Sequence, residues 1–205
     1  MIDHNFYASP VQASQTLITH ILEAMDKELE RPFTIALSGG TTPATLFEVW
    51  EREYAAYTPW SRIYFYWVDE RCVSPGDDQS NFGLAYRLLF SKVGIPASHY
   101  YRIVGEGAPE EEAKQYSSIV KTTVPTVDGV PVFDFVLLGI GEDGHTSSIF
   151  PDHQELLTAG EPYEVSVNPY NKTVRICMTG RLDRSPAYLF SGDGREQMQY
   201  FERNP

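Results

Sequence analysis

Three apolar runs, Phe33–Leu37, Ile63–Val68 and Val132–Leu138, each give way at their ends to a polar segment, with amphipathic patterns between them. No other feature constrains the chain as strongly. Short runs with almost no polar alternation fit strands buried on both faces. Leu17, Ile18, Ile21, Leu22, Met25 and Leu29 recur at helical spacing and predict a helix over about 10–30. Leu46, Phe47 and Trp50 do the same for 44–54, and Leu84, Leu88 and Leu89 for 81–93. Glu110-Glu111-Glu112 opens another helix, where negative charge suits the positive end of the helix dipole. Further strands are expected near 163–167, 173–178 and 187–190, followed by a short helix from Arg195. This alternation predicts an α/β fold, a mostly parallel sheet with helices on both faces.

The chain has 205 residues, enough for one ordinary domain with a real core. Apolar residues at 42% and charged residues at 21% argue against both disorder and a membrane protein. A net charge of −12 repels polyanions, so nucleic acid and anionic membrane surfaces are not expected partners. Cys72 and Cys177 stand far apart, outside any Cys/His cluster, which fits neither a disulfide scaffold nor a thiolate zinc site. The first residues lack the basic and apolar regions of a signal peptide, and no run reaches membrane-spanning length. The expectation is a cytoplasmic protein.

In parallel sheets, ligands sit beyond the carboxyl ends of the strands. Segments 38–43, 69–71 and 139–148 all follow strands, and they converge if those strands are neighbours. In Ser38-Gly39-Gly40-Thr41-Thr42-Pro43, Pro43 fits the first helical position and Thr42 a cap. Paired glycines let backbone approach a ligand, and a helix start favours an anion. An ordinary tight turn reads equally well, and the lysine of a P-loop is absent. Asp69-Glu70-Arg71 reads alone as a solvated strand end, or else as a substrate-facing cluster. The polar loop Ser74–Asn81 after it is placed to cover a site.

Residues 139–144 form a G-x-G-x-x-G after a strand, the pattern of a dinucleotide site. Glu142 and Asp143 would then put carboxylates beside a pyrophosphate, and Glu164 begins a strand where a ribose-binding acid should end one. The better reading is a loop holding Asp143 and His145 at a pocket floor. Asp143, His145 and His153 match no strong metal motif, so no metal is expected. Ser191-Gly192-Asp193-Gly194-Arg195 reads as a second strand-to-helix joint, where Arg195 either pairs with a phosphate or sits solvated.

Taken together, Leu37–Pro43, Val68-Asp69-Glu70-Arg71 with Ser80-Asn81, and Leu138–Pro151 resemble the 6-phosphogluconolactonase family, which is related to the glucosamine-6-phosphate deaminases. Thr146-Ser147-Ser148-Ile149-Phe150-Pro151 is similar to the lactonase branch and lacks the Asn-Glu-Pro ending of the deaminases. The resemblance implies a modified Rossmann-like fold and cofactor-free hydrolysis of 6-phosphogluconolactone in the oxidative pentose phosphate pathway. It implies His145 as catalytic base, with Asp69 and Arg71 lining the site. Ser38, Gly39, Gly40 and Thr41 would cradle the phosphate, Gly144 would bind substrate, and Arg195 would take the place of a basic residue. Relatives often carry Leu-Pro and Asn where this chain reads Met178-Thr179-Gly180-Arg181-Leu182-Asp183. They also continue past their last helix, so one domain over 1–205 without the family's C-terminal end is expected.

A δ-lactone is an activated ester that needs modest assistance, and imidazole titrates near neutral pH. His145 would take a proton from the attacking water, and Asp143 or Asp69 would orient the imidazole or bind sugar hydroxyls. Two other readings stay open. One is an amino-sugar-phosphate isomerase or deaminase, with Asp69 shuttling the proton; the other is a non-catalytic sugar-phosphate-binding protein. Oligomeric state is not legible.

Overall fold

The computed structural model describes residues 2–141, 143–182, 184–192 and 196–201. In chain order its elements are β1 (Ile2–Phe6), α1 (Pro10–Lys27), β2 (Phe33–Leu37), α2 (Thr41–Val49), β3 (Ile63–Trp67), β4 (Asp69–Arg71), α3 (Asn81–Ala85) and α4 (Ser91–Val93). They continue with α5 (Pro109–Thr123), β5 (Thr126–Val127), β6 (Val130–Pro131), β7 (Phe135–Gly139), β8 (Tyr163–Val167), β9 (Val174–Met178), β10 (Ala187–Gly192) and β11 (Glu196–Phe201). A π-turn at Trp50–Tyr54 extends α2, and another at Tyr86–Phe90 joins α3 to α4. Glu142, Asp183 and Arg195 lie outside the described residues.

Local chemistry explains most boundaries. The Ser9 hydroxyl accepts from the Gln12 amide at 3.2 Å, and Pro10 opens α1 where an amide would have no helical partner. The stripe Ala13, Leu17, Ile18, Ile21 and Met25 is then buried. Every residue of β2 is buried, as its near-continuous apolar pattern requires. β7 starts at Phe135 rather than Val132, because the Asp134 carboxylate turns to the Thr34 amide at 2.8 Å and its hydroxyl at 3.0 Å.

The large sheet runs in the order β1-β11-β10-β7-β2-β3, with β10, β7, β2 and β3 parallel. All four therefore end on the same edge. One expectation fails at the other side of the sheet. Glu196–Phe201 is a strand antiparallel to β10, with Gly192 opposite Glu196, so Ser191-Gly192 leads into a strand and not a helix. Gln197 to Tyr200 alternate polar and apolar with strand period, and β10 and β1 satisfy the strand's backbone on both sides. β1, which shows no clear pattern of its own, is created by that pairing.

Asp69–Arg71 is also a strand, not a solvated end. Val68 is the switch: its amide donates to Leu37 of the large sheet at 2.8 Å, while its carbonyl accepts from Met178 of β9 at 2.7 Å. The chain thereby leaves the large sheet and enters a second one, ordered β4-β9-β8. Buried tyrosines hold the crossing point. The Tyr116 hydroxyl accepts from the Trp67 amide at 3.0 Å, and the Tyr163 hydroxyl donates to the Trp67 carbonyl at 2.8 Å. Trp67 itself packs edge-on to Phe82 and Phe90, contacts each adding about 0.5–1.5 kcal/mol beyond area burial.

Candidate active site

Neighbouring β2, β3 and β7 bring the three polar segments to one edge. Contacts between them are close. A Cβ on Gly139 would lie 4.0 Å from Ser38 Oγ, and one on Gly39 would fall 1.8 Å from Asn81 Oδ1. Asn81 Nδ2 in turn donates to the Asp69 carbonyl at 2.8 Å and carboxylate at 3.0 Å. Only glycine at 39 allows this contact.

The helix start at 38–43 differs from the expected capping. Gly40 is the cap residue of α2, with φ 107° and no side-chain cap bond, so Thr42 does not cap and Pro43 is the third helical residue. A left-handed glycine turns the chain sharply from strand to helix. Thr41 and Thr42 then sit in the first turn, where amides have no intrahelical partner, and Thr41 is exposed. An anion is the natural ligand of such a start.

Beyond β7 the chain makes a tight loop and no helix, which removes the dinucleotide reading. The Gly141 amide donates to the His145 carbonyl and the Gly144 amide to the Gly141 carbonyl, both at 2.9 Å. Gly144 supplies the left-handed turn with φ 83°. His145 Nδ1 lies 2.5 Å from Asp143 Oδ1, which also accepts from the His145 amide at 3.2 Å. The Tyr170 hydroxyl donates to Asp143 Oδ2 at 3.0 Å. Desolvation works against the charge of Asp143, but these hydrogen bonds outweigh it and hold the carboxyl down at about 2. An ionised carboxylate only accepts, so Nδ1 is the nitrogen that donates to it, and in the neutral ring the lone pair then lies on Nε2. That is the tautomer a general base requires.

The choice between the two aspartates is thus decided for the imidazole. Asp69 is 6% exposed and its oxygens are engaged elsewhere: Oδ1 with Asn81, Oδ2 with the Ser148 hydroxyl, and Arg175 Nη1 3.6 Å away. Arg71 is half-buried, donating Nη1 to the Gln79 carbonyl at 2.6 Å, while its buried Nε has no hydrogen-bond partner. Glu70, unassigned from the sequence, accepts from the Arg71, Asn81 and Phe82 amides at 2.8 Å and from the Ser80 hydroxyl at 3.0 Å. It binds the first two amides of α3 beside the Ser80 cap, whose hydroxyl accepts from the Gly83 amide, and thereby places Asn81. Ser148, Phe150, Tyr170 and Arg175 also escaped site assignment, because their roles arise from contacts between distant segments. Of the expected residues, Gly39, Asp69 and Arg71 are linked through Asn81 and Glu70, Ser38 faces Gly139, Asp143, Gly144 and His145 form the loop after β7, and Gly40 and Thr41 open α2. Arg195 is not described. Among the described residues, no group of three or more His, Cys, Asp or Glu side chains is placed to hold a metal ion.

The family profile described as glucosamine-6-phosphate isomerases/6-phosphogluconolactonase matches residues 8–203. The chain belongs to this family. A 6-phosphogluconolactonase of Treponema pallidum is 41% identical over 148 residues, covering 72% of this chain and 61% of that protein. One from Aggregatibacter actinomycetemcomitans is 37% identical over 175 residues, covering 83% of this chain and 73% of the relative. The crystal structure of a protein called devB superposes with a TM-score of 0.86 at 34% identity, covering 91% of this chain and 79% of the other. The Leishmania guyanensis 6-phosphogluconolactonase structure follows at 0.79 and 28%, covering 91% and 80%. This chain thus spans about three fifths of the Treponema relative. No helix among the described residues is long and apolar enough to cross a membrane.

Proposed function

We propose that the chain hydrolyses 6-phospho-D-glucono-1,5-lactone to 6-phosphogluconate, the hydrolytic step of the oxidative pentose phosphate pathway, with His145 as general base. The observation that carries this reading is the His145–Asp143 pair, with Nδ1 turned to the carboxylate, on the same sheet edge as the open start of α2. Nε2 takes a proton from water as the water oxygen bonds to the lactone carbonyl carbon. The bond to the ring oxygen then breaks, and the imidazolium returns its proton to that oxygen. Asp143 stabilises the imidazolium in between. Ser38, Gly39, Gly40 and Thr41 bind the phosphate, with Arg71 and Arg195 as basic partners and Gly144 shaping the substrate pocket. Binding the phosphate holds the carbonyl at His145 and lowers the entropic cost of attack. Asp69 positions these segments. Its nearly complete burial disfavours a proton shuttle between sugar carbons, and with it the isomerase reading. No cofactor is required, and the free thiols Cys72 and Cys177 suit a reducing cytoplasm.

An assay on fresh lactone and on glucosamine 6-phosphate tests the reading. Hydrolysis above the spontaneous rate is expected, unchanged by exhaustive EDTA. Ammonia release, binding without turnover, or a loss restored by a divalent ion would each overturn it. Gly141 provides a finer check. A Cβ there would fall 2.2 Å from His145 Cε1 and 2.3 Å from Nδ1, so the ring must move. Gly141→Ala is expected to lower kcat by about 10²-fold through misplacement of the base. Its Tm should hardly change, and steady-state kinetics with a thermal melt measure both.

A further inference from the structure

We propose that Arg175 is a positioning residue of this site, holding the His145 loop in its reactive geometry through Ser148 and Phe150. The inference rests on His145 as the general base. Ser147 and Ser148 follow one another in the left-handed region, with φ 51° and 57°. Non-glycine residues persist there only where their surroundings over-determine them. Here they do. The Ser147 hydroxyl donates to the Met178 carbonyl at 2.8 Å, and the Ser148 carbonyl accepts from the Ser166 hydroxyl at 2.6 Å. The Ser148 hydroxyl donates to Asp69 and accepts from Arg175 Nη1 at 3.0 Å. The same guanidinium lies 5.6 Å over the ring of fully buried Phe150, whose centroid is 4.5 Å from that of His145. Arg175 therefore reaches the imidazole by two routes, along the loop and through one aromatic ring.

A merely structural account of Arg175 is weak. Its side chain is 11% exposed, its buried Nε has no hydrogen-bond partner, and Arg71 stands directly opposite it in the register of β4 and β9. The Asp69 carboxylate, 3.6 Å from Nη1, offsets the repulsion between the two arginines, but an apolar residue of similar volume commonly serves stability as well as a buried ion pair or better. What an apolar residue cannot do is orient Ser148 and Asp69 together.

The test compares wild type, Arg175→Met, Arg175→Lys and Ser148→Ala, reading kcat, KM and Tm on the lactone and the His145 ring signals by NMR in the ligand-free protein. For Arg175→Met, kcat should fall about 30-fold with KM within about threefold, the pattern of a misplaced base under intact binding. Arg175→Lys should recover part of that loss, Ser148→Ala should share it, and the His145 signals should move in Arg175→Met. Unchanged kcat and unmoved signals in Arg175→Met would overturn the proposal. So would losses that track Tm alone, with no recovery by lysine. If Arg175→Met does not fold, normal kcat in Ser148→Ala overturns it. If wild type fails to hydrolyse the lactone, the proposed function falls, and the ring signals alone decide the positioning role.

Discussion

His145→Asn is expected to lower kcat for the phosphorylated lactone by about 10²–10⁴-fold, the usual contribution of a general base. Asparagine keeps a polar group of similar reach but cannot accept a proton near neutral pH. The side chain of His145 is a quarter exposed and packs chiefly on Phe150, so Tm should change little. Binding of 6-phosphogluconate should persist, because the proposed phosphate site is the separate segment 38–41. Rates are taken above spontaneous hydrolysis, with product affinity measured by calorimetry. Near-normal turnover in a stable variant would move the base elsewhere, and early unfolding would make His145 a structural residue.

The second large effect is on stability. Glu70→Ala removes the acceptor for the buried amides of Asn81 and Phe82, the Arg71 amide and the Ser80 hydroxyl. An orphaned buried donor costs about 1–3 kcal/mol, and partial relaxation should leave a total near 3–5 kcal/mol. For a chain of this size that corresponds to a Tm lower by about 6–20 °C. Activity should fall with it even below the melting range, since Asn81 carries both the Gly39 contact and the Asp69 hydrogen bonds. Differential scanning calorimetry and kinetics well below Tm separate the two losses. A variant with wild-type Tm would show that solvent replaces the carboxylate, and that Glu70 does not anchor α3.

The sequence was most informative where one residue pattern is sufficient by itself. The apolar runs at 33–37 and 63–67 become parallel strands because burial on both faces demands that pattern wherever they pair. The turn from Gly141 to His145 is likewise local: its backbone bonds and the Asp143–His145 contact span at most four residues, so glycine spacing alone is enough to predict a turn holding the histidine. Other assignments failed because the deciding partner was far away. Thr42 has the chemistry of a cap, yet Gly40 takes the position because the chain must turn sharply off β2. The 196–201 segment becomes a strand between β10 and β1, and β1 comes from the opposite end of the sequence.

The roles of the two aspartates show the same division. By residue type alone, Asp69 and Asp143 serve equally well as partners of the imidazole. Asp143 is joined to it through a two-residue turn, whereas Asp69 is carried by Val68 into the second sheet and engaged by Asn81 and Ser148. The sequence by itself determined the layered α/β class, the three segments at the strand ends and the histidine among its glycines, because these follow from periodicity and local turn chemistry. Tertiary structure decided which carboxylate meets the imidazole, that Glu70 binds the first amides of α3, and that Ser148 and Arg175 meet Asp69. Those outcomes depend on hydrogen bonds to distant or differently folded segments, whose strength comes from burial, and burial is a property of the assembled fold.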